Sequence, residues 1–432
     1  MKKAENLGEF ALLFEPEPLS EKYLSEFYYD GTMPIRMNDK DTSPMNDLFK
    51  SCLLARDRNA HLLLGHKGCG KSTELNMLKL RFEKAGRKVS IIPCLIEADL
   101  LGLTYWDLLI LLGKHLCEIA KDSECALPED LLDAIEDFWN DRETTKSSSD
   151  ASGLGIKGRI SAGTPKFLQL LQFFAEMSAE LKFGFEKRNI IRERVRRSAA
   201  QWIGYLKEAS GHIARQLGGK QPIIIFEDLD KLSPTIAWEI FNYPLSQMPF
   251  PVIYTFPISL SYDPKFAGLE SAFNSTHVLP MIKIRTIDNA AHKEGIDTII
   301  NIVEKRSNLA LFGDGALEHL INKTGGILRD LFTCITRAAN RAENRNSLKI
   351  ELEDARSAST QLRSSLTKRI ESKNYSLLKN IYSGAKYKNQ IEDRAMLLDM
   401  MQGLIVLEYN GDRWHTLHPL IEDFLKEQGE LE

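Results

Sequence analysis

Gly65-His66-Lys67-Gly68-Cys69-Gly70-Lys71-Ser72 decides the reading of this chain, because it matches G-x-x-x-x-G-K-[ST] in full. Three glycines let the backbone wrap closely, so that several amide N–H groups converge on phosphate oxygens. The apolar residues 62–64 predict a buried strand before the loop. Leu75, Leu78 and Phe82 predict an amphipathic helix from Ser72 to about Lys84 after it. A loop in that setting delivers phosphates to a helix N-terminus. Lys71 is placed to reach the β- and γ-phosphates and the Ser72 hydroxyl to ligate Mg²⁺. Residues Gly65 to Ser72, with Thr73 next to them, are the candidate nucleotide-binding set.

Working outward, Ile223-Ile224-Ile225-Phe226-Glu227-Asp228-Leu229-Asp230-Lys231 is the natural partner. Four apolar residues make a central strand, and acids at its C-terminal end fall where ligands bind in open α/β sheets. One carboxylate holds Mg²⁺ and the next orients the attacking water. Glu227 falls at the metal-side position and Asp228 at the water-side position. The residue types are swapped relative to the usual order, so the two roles stay open between them, and Asp230 is a third candidate. Residues 252–256 read as a further buried strand, with Thr255 as a contact to the γ-phosphate or the lytic water. Thr324-Gly325-Gly326-Ile327-Leu328-Arg329 opens a helix with a cation poorly placed for the helix dipole. Arg329 is therefore read as reaching the nucleotide site from a lid.

Strands alternating with helices, including residues 89–93 and 278–284, predict a parallel sheet covered on both faces. Residues 144–164 are small and polar and read as a loop. Helices are expected over 166–182 and 189–217. The organisation expected is a leader over 1–58, a core over 59–286 with a helical insertion at about 140–220, a lid over 287–365 and a last unit over 366–432. In that last unit, helices, residues 404–409, an Asn410-Gly411 turn and residues 413–417 follow the order of a winged helix. Helix 391–401 carries Glu392, Asp393 and Asp399 against Arg394, a poor surface for phosphates. The basic stretch Lys187 to Arg197 reads as a solvated helix face, with a nucleic-acid or partner contact as the alternative. His415 and His418 lack metal-ligand spacing.

Composition sets few limits. The 432 residues carry a net charge of −4, which marks no global nucleic-acid binder. The six cysteines form no C-x-x-C pair, so a zinc or dithiol site is not expected and a reducing compartment is. The N-terminus lacks the apolar core of a signal peptide. No apolar run approaches the ~20 residues of a membrane span. A cytoplasmic protein without membrane contact is expected.

These motifs together resemble AAA+ ATPases of the origin-recognition and STAND branches. The loop through Glu74-Leu75 is similar to bacterial ATPases linked to anti-phage defence, and Asp228-Leu229-Asp230-Lys231 to the tail of KAP-type NTPases. The resemblance covers about residues 35–425, and only the two phosphate-site motifs are specific. It implies an α/β P-loop fold with strand order 5-1-4-3-2, a helical lid and a winged helix, using ATP and Mg²⁺. It also implies Thr255 as sensor 1 and Arg329 as sensor 2. One departure stands out. AAA+ rings place an arginine finger just before the fifth strand, but residues 261–277 contain only Lys265. A slow, nucleotide-locked switch is therefore expected, acting on a protein effector encoded nearby or on its own oligomeric state. A DNA-associated loader is the alternative, and a nucleotide-holding module without turnover is a third reading.

Overall fold

Strand β1, Ala60–Gly65, is buried along its whole length. A strand buried on both faces needs cover on both and a hydrogen-bonded neighbour at each edge. The computed structural model, which describes residues 2–37, 42–54, 59–140, 165–384, 394–409 and 414–432, supplies these. The other strands of the sheet are β2 (Val89–Pro93), β3 (Ile223–Glu227), β4 (Val252–Pro257) and β5 (Ser275–Val278). All four pairings are parallel and the order is β2-β3-β4-β1-β5. Read from the other edge, this is the expected 5-1-4-3-2 order of an AAA+ P-loop sheet.

The fifth strand is displaced from its expected place. Only Ser275–Val278 pair with β1, opposite His61 to Leu64. Residues 279–284 run on past the sheet, with Leu279 and Met281 buried in the P-loop helix's cluster and Ile282 and Ile284 in that of the following helices. Their apolarity comes from serving as a buried connector rather than from a ladder.

The P-loop helix Lys71–Lys84 buries Leu75, Leu78 and Phe82 against β1 and β3. A second apolar cluster lies on the other face, where helices Tyr105–Asp122, Glu129–Asn140, Lys166–Phe183, Phe185–Arg197 and Ala199–Gln216 pack. The expected helix over 189–217 is two helices, broken at Ser198, where ψ turns to 35°. The loop expected over 144–164 lies outside the described residues.

Lid helices Lys293–Arg306, Ala316–Thr324, Leu328–Asn344 and Leu352–Thr367 share one core with the N-terminal leader. Phe10 and Phe14 of the leader meet Phe312 and Phe332 of the lid at centroid separations of 5.7 and 5.6 Å. Ala4 also bridges to Ser307. The first part of the leader thus packs on these helices, whereas its helix Pro44–Leu53 packs with the P-loop helix and the sheet. After the lid come helices Tyr375–Tyr382 and Arg394–Gln402, an antiparallel hairpin of β6 (Val406–Tyr409) and β7 (Trp414–Leu417), and helix Pro419–Glu427. The Asn410-Gly411 turn and the first three residues of the acidic 391–401 segment lie outside the described residues.

Candidate functional site

The phosphate loop leaves the C-terminal end of β1 and takes φ values of 80° at Gly68 and 101° at Gly70. Both lie in the left-handed region where glycine carries no Cβ penalty. A Cβ on Gly68 would also come within 2.9 Å of the Arg329 and Ile327 side chains. The Gly-Gly turn ahead of Arg329 has the same need. A Cβ on Gly326 would sit 2.2 Å from the Ile282 carbonyl. Two glycine turns are thereby pressed together. The Arg329 backbone N–H donates to the Gly68 carbonyl at 3.3 Å, fixing the start of helix Leu328–Asn344 on the loop.

Lys71 is buried at the base of the loop. Its ammonium donates to the carbonyls of Gly65 and His66 at 2.7 and 2.8 Å and meets Asp230 Oδ2 at 2.9 Å. Burial opposes that charge, but the Asp230 carboxylate holds the lysine pKa above its ordinary value. Glu227 has its pKa raised by burial and by the charges of Asp228 and Asp230, with the Ser72 side chain opposing the rise. Asp228 itself adopts φ 71°. One of its oxygens lies 2.5 Å from Lys231 Nζ, and the other accepts the Leu95 N–H at 3.2 Å.

Thr255 is buried in β4. Its hydroxyl donates to Phe226 O at 3.2 Å and accepts from Leu229 N at 3.0 Å. It therefore ties the acidic turn to the sheet. Cys69 turns its thiol to the back of the loop, 3.8 Å from Leu279 O. Thr73 accepts the Leu19 N–H at 3.2 Å. Lys67 is partly buried, which lowers its pKa despite the Asp230 charge nearby.

His66 reaches the hairpin. Its Nε2 accepts the backbone N–H of Glu408 in β6 at 2.8 Å, so the ring proton belongs on Nδ1. Burial, then the charges of Lys71 and His415, push its pKa down to about 3, so the ring is neutral. The hairpin is therefore bonded directly to the phosphate loop.

An open cleft lies above the loop. Its floor is Gly68 and Gly70 to Glu74, with Asp230 and Lys231 at one side. The leader lends Leu19, Tyr28 and Tyr29, and the lid lends Arg306, Arg329 and Phe332. Arg306 lies 4.4 Å from the Phe332 ring centroid and donates to Leu13 O at 2.7 Å. Burial lowers its pKa to about 10. Among the described residues, no three His, Cys, Asp or Glu side chains converge to hold a metal by themselves. Ser72 and Glu227 suit an ion that arrives with phosphate oxygens and water, as Mg²⁺ does.

Two contributors carry no sequence signal of their own. Arg36, 1% exposed, donates to Cys69 O at 2.8 Å and to Pro280 O, clamping loop and connector together. Glu74 accepts from Tyr28 OH at 2.9 Å inside the cleft. A third, Lys231, stands within the acidic motif, and its position three residues after Asp228 was the available clue. Three cations of the basic stretch turn inward, and Lys187, Arg196 and Arg197 stay exposed. Arg192 pairs with Asp107, Arg188 meets Asp99 at 2.9 Å, and Arg194 donates to Phe138 O. Arg196 and Arg197 are paired with Glu193.

The strand order, the glycine geometry and the loop at the end of β1 make this a P-loop α/β fold of AAA+ type. A scan against protein-family models gives no match, and neither does a search of curated proteins. Among solved structures, the chain is similar to Cdc6p from Pyrobaculum aerophilum, with 14% identity, TM-score 0.39, and coverage of 94% of this chain and 98% of that one. It is also similar to the Aeropyrum pernix ORC1 protein in complex with DNA, with 11% identity, TM-score 0.37, and coverage of 92% and 97%. The Thermotoga maritima RuvB Holliday junction branch migration motor matches with 10% identity, TM-score 0.34, and coverage of 96% and 98%. At these scores the likenesses add nothing to what the sheet order and loop geometry already give. Among the described residues, no helix is long and apolar enough to cross a membrane.

Proposed function

We propose that this chain binds ATP with Mg²⁺ in the cleft above β1, hydrolyses it slowly, and uses the bound state to set the arrangement of lid and hairpin. The observation that carries this reading is that the phosphate loop is bonded to both. Arg329 N–H donates to Gly68 O at 3.3 Å, and Glu408 N–H donates to His66 Nε2 at 2.8 Å. Phosphates entering the loop draw Lys71 from the Gly65 and His66 carbonyls, and the loop's contacts to both units shift with it.

In this reading Lys71 takes the β- and γ-phosphates, and Ser72 with Glu227 holds the ion. Mg²⁺, when bound, would neutralise charge on the phosphates. Asp228 orients water, Thr255 positions the acidic turn, and Arg329 reports the nucleotide to the lid. Water oxygen bonds to the γ-phosphorus as the bond to the β–γ bridging oxygen breaks. The water proton passes to phosphate, and ADP and inorganic phosphate leave.

The output is control of a partner protein or of self-assembly. A place in anti-phage defence, with an effector encoded nearby, rests on the motif resemblance alone. The DNA-loader alternative has less support. The helix before the hairpin, Arg394–Gln402, is turned onto the core, where Gln402 donates to Leu232 O at 2.9 Å and accepts from Ser259 at 3.2 Å. A winged-helix reader would need that helix free for a groove.

Two measurements test the proposal together. One is light scattering after size exclusion, with and without an uncleavable ATP analogue. The other is ATP turnover with and without duplex DNA. The switch reading expects a nucleotide-dependent change of assembly or shape, and turnover well below the ~10 s⁻¹ enzyme median. Strong stimulation by DNA with no such change would favour the loader.

A further inference from the structure

The acidic turn after β3 carries two lysine–aspartate pairs, and only one belongs to the phosphate-loop motif. Lys71 meets Asp230 at 2.9 Å, and Lys231 meets Asp228 at 2.5 Å. Lys231 lines the same cleft as Lys71. Its backbone is fixed, since Lys231 N–H donates to Asp228 O at 3.0 Å. Its side chain keeps 26% of its surface exposed, against 8% for Asp228. The lysine is therefore the member of the pair that is free to move.

Asp228 is built to tolerate that movement. Its second oxygen is held by the Leu95 N–H. If Lys231 leaves, the carboxylate keeps a donor and is not stranded as an unpartnered buried charge.

A triphosphate needs a cation at its γ end, where charge develops as the bond to the leaving oxygen breaks. Residues 261–277 offer no arginine for a neighbouring copy. The ground beside Lys231 is also covered from within the chain. Gln402 binds the carbonyl of Leu232, the next residue, and reaches Ser259 at the end of β4.

We propose that Lys231 meets the γ-phosphate in cis, exchanging Asp228 for phosphate when a triphosphate is bound, so that Asp228 becomes available to water only in that state. The inference rests on the nucleotide site proposed above and assigns it a further cation. Diphosphate, lacking the γ group, leaves the Lys231–Asp228 pair closed. One side chain thereby distinguishes the two nucleotides and couples that distinction to release of the water-orienting acid.

The test is an affinity comparison on the full chain, with Mg²⁺, between an uncleavable ATP analogue and ADP. Four proteins are compared: wild type, Lys231→Met, Lys231→Arg, and the double variant Lys231→Met with Asp228→Asn. A lost charge-assisted contact to phosphate should weaken the triphosphate analogue about tenfold in Lys231→Met and leave ADP unchanged. Lys231→Arg should retain part of the preference. The double variant decides whether the lysine does more than neutralise Asp228. The proposal expects it to remain as weak for the analogue as the single variant. Recovery of wild-type affinity in the double variant would overturn it, as would an equal loss for both nucleotides, or no loss, in Lys231→Met. Absence of nucleotide binding by the wild-type chain is a separate result, which removes the site assignment itself and this proposal with it.

Discussion

Lys71 Nζ and Asp230 Oδ2 lie 2.9 Å apart, with each side chain 6% exposed. A nucleotide must therefore replace Asp230 as the partner of the loop lysine. Removing one member of a buried pair strands the other, at a cost of about 3–5 kcal/mol. Lys71→Ala is expected to lose nucleotide binding and also to unfold at lower denaturant. Lys71→Met with Asp230→Asn should regain much of the stability and none of the binding. Denaturant unfolding paired with calorimetry separates the two. A double variant that binds nucleotide normally would contradict the role given to Lys71.

The two acids at the end of β3 face different ways. The Ser72 side chain opposes the upward shift of Glu227, and Asp228 is held by Leu95 and Lys231. Glu227→Gln is expected to raise the Mg²⁺ needed for half-maximal nucleotide binding about tenfold. Asp228→Asn is expected to keep binding and lose turnover. Magnesium titrations and single-turnover assays on both variants check this, and exchanged phenotypes would reverse the assignment.

Thr255 was read from sequence as a contact to the γ-phosphate or the lytic water, and in this structure its hydroxyl joins Phe226 O to Leu229 N. Thr255→Val keeps the shape and strands the buried Leu229 N–H, at a cost of about 1–3 kcal/mol. Thermal unfolding should register that loss while nucleotide affinity stays within twofold. Lower affinity at unchanged stability would restore the phosphate-contact role.

What the sequence made legible was contiguous. The loop, β1, β3 and their strand order followed from contiguous patterns, because a buried parallel strand must be apolar throughout and a phosphate loop must be glycine-rich. Leu279, Met281, Ile282 and Ile284 have the same apolar character yet form a connector, since burial between packed helices and burial in a sheet leave the same trace. Arg36 and Glu408 bond to the loop from 33 and 342 residues away. Neither contact leaves a local mark: Arg36 stands alone in the leader, and Glu408 acts through its backbone. Lys231 was in plain view, but a lysine after three acids reads as surface until its partner is known.

Acid should loosen the hairpin. Burial pushes His66 and His418 down to about 3 and His415 to about 4. Unfolded histidines take protons below about pH 6.5. Between those values the unfolded chain binds more protons, so stability falls as pH drops from about 6.5. Asp330 runs the other way. Burial raises it to about 6, so between about pH 4 and 6 it offsets part of the loss. At pH 5 each histidine contributes up to about 2 kcal/mol of this sensitivity. His418→Asn keeps an acceptor for the Leu420 N–H that His418 Nδ1 now takes at 3.2 Å. That variant should show a shallower fall of Tm between pH 7 and 5. An unchanged slope would contradict the account of His418.

The central claim is that the cleft above β1 binds ATP with Mg²⁺ through Lys71. Calorimetric titration of Mg²⁺–ATP into the intact chain tests it most directly, alongside the same titration of the Lys71→Met, Asp230→Asn double variant. The account predicts one saturable site per chain in the wild type and no measurable heat of binding in the variant. No binding by the wild type, or equal binding by both proteins, would contradict it.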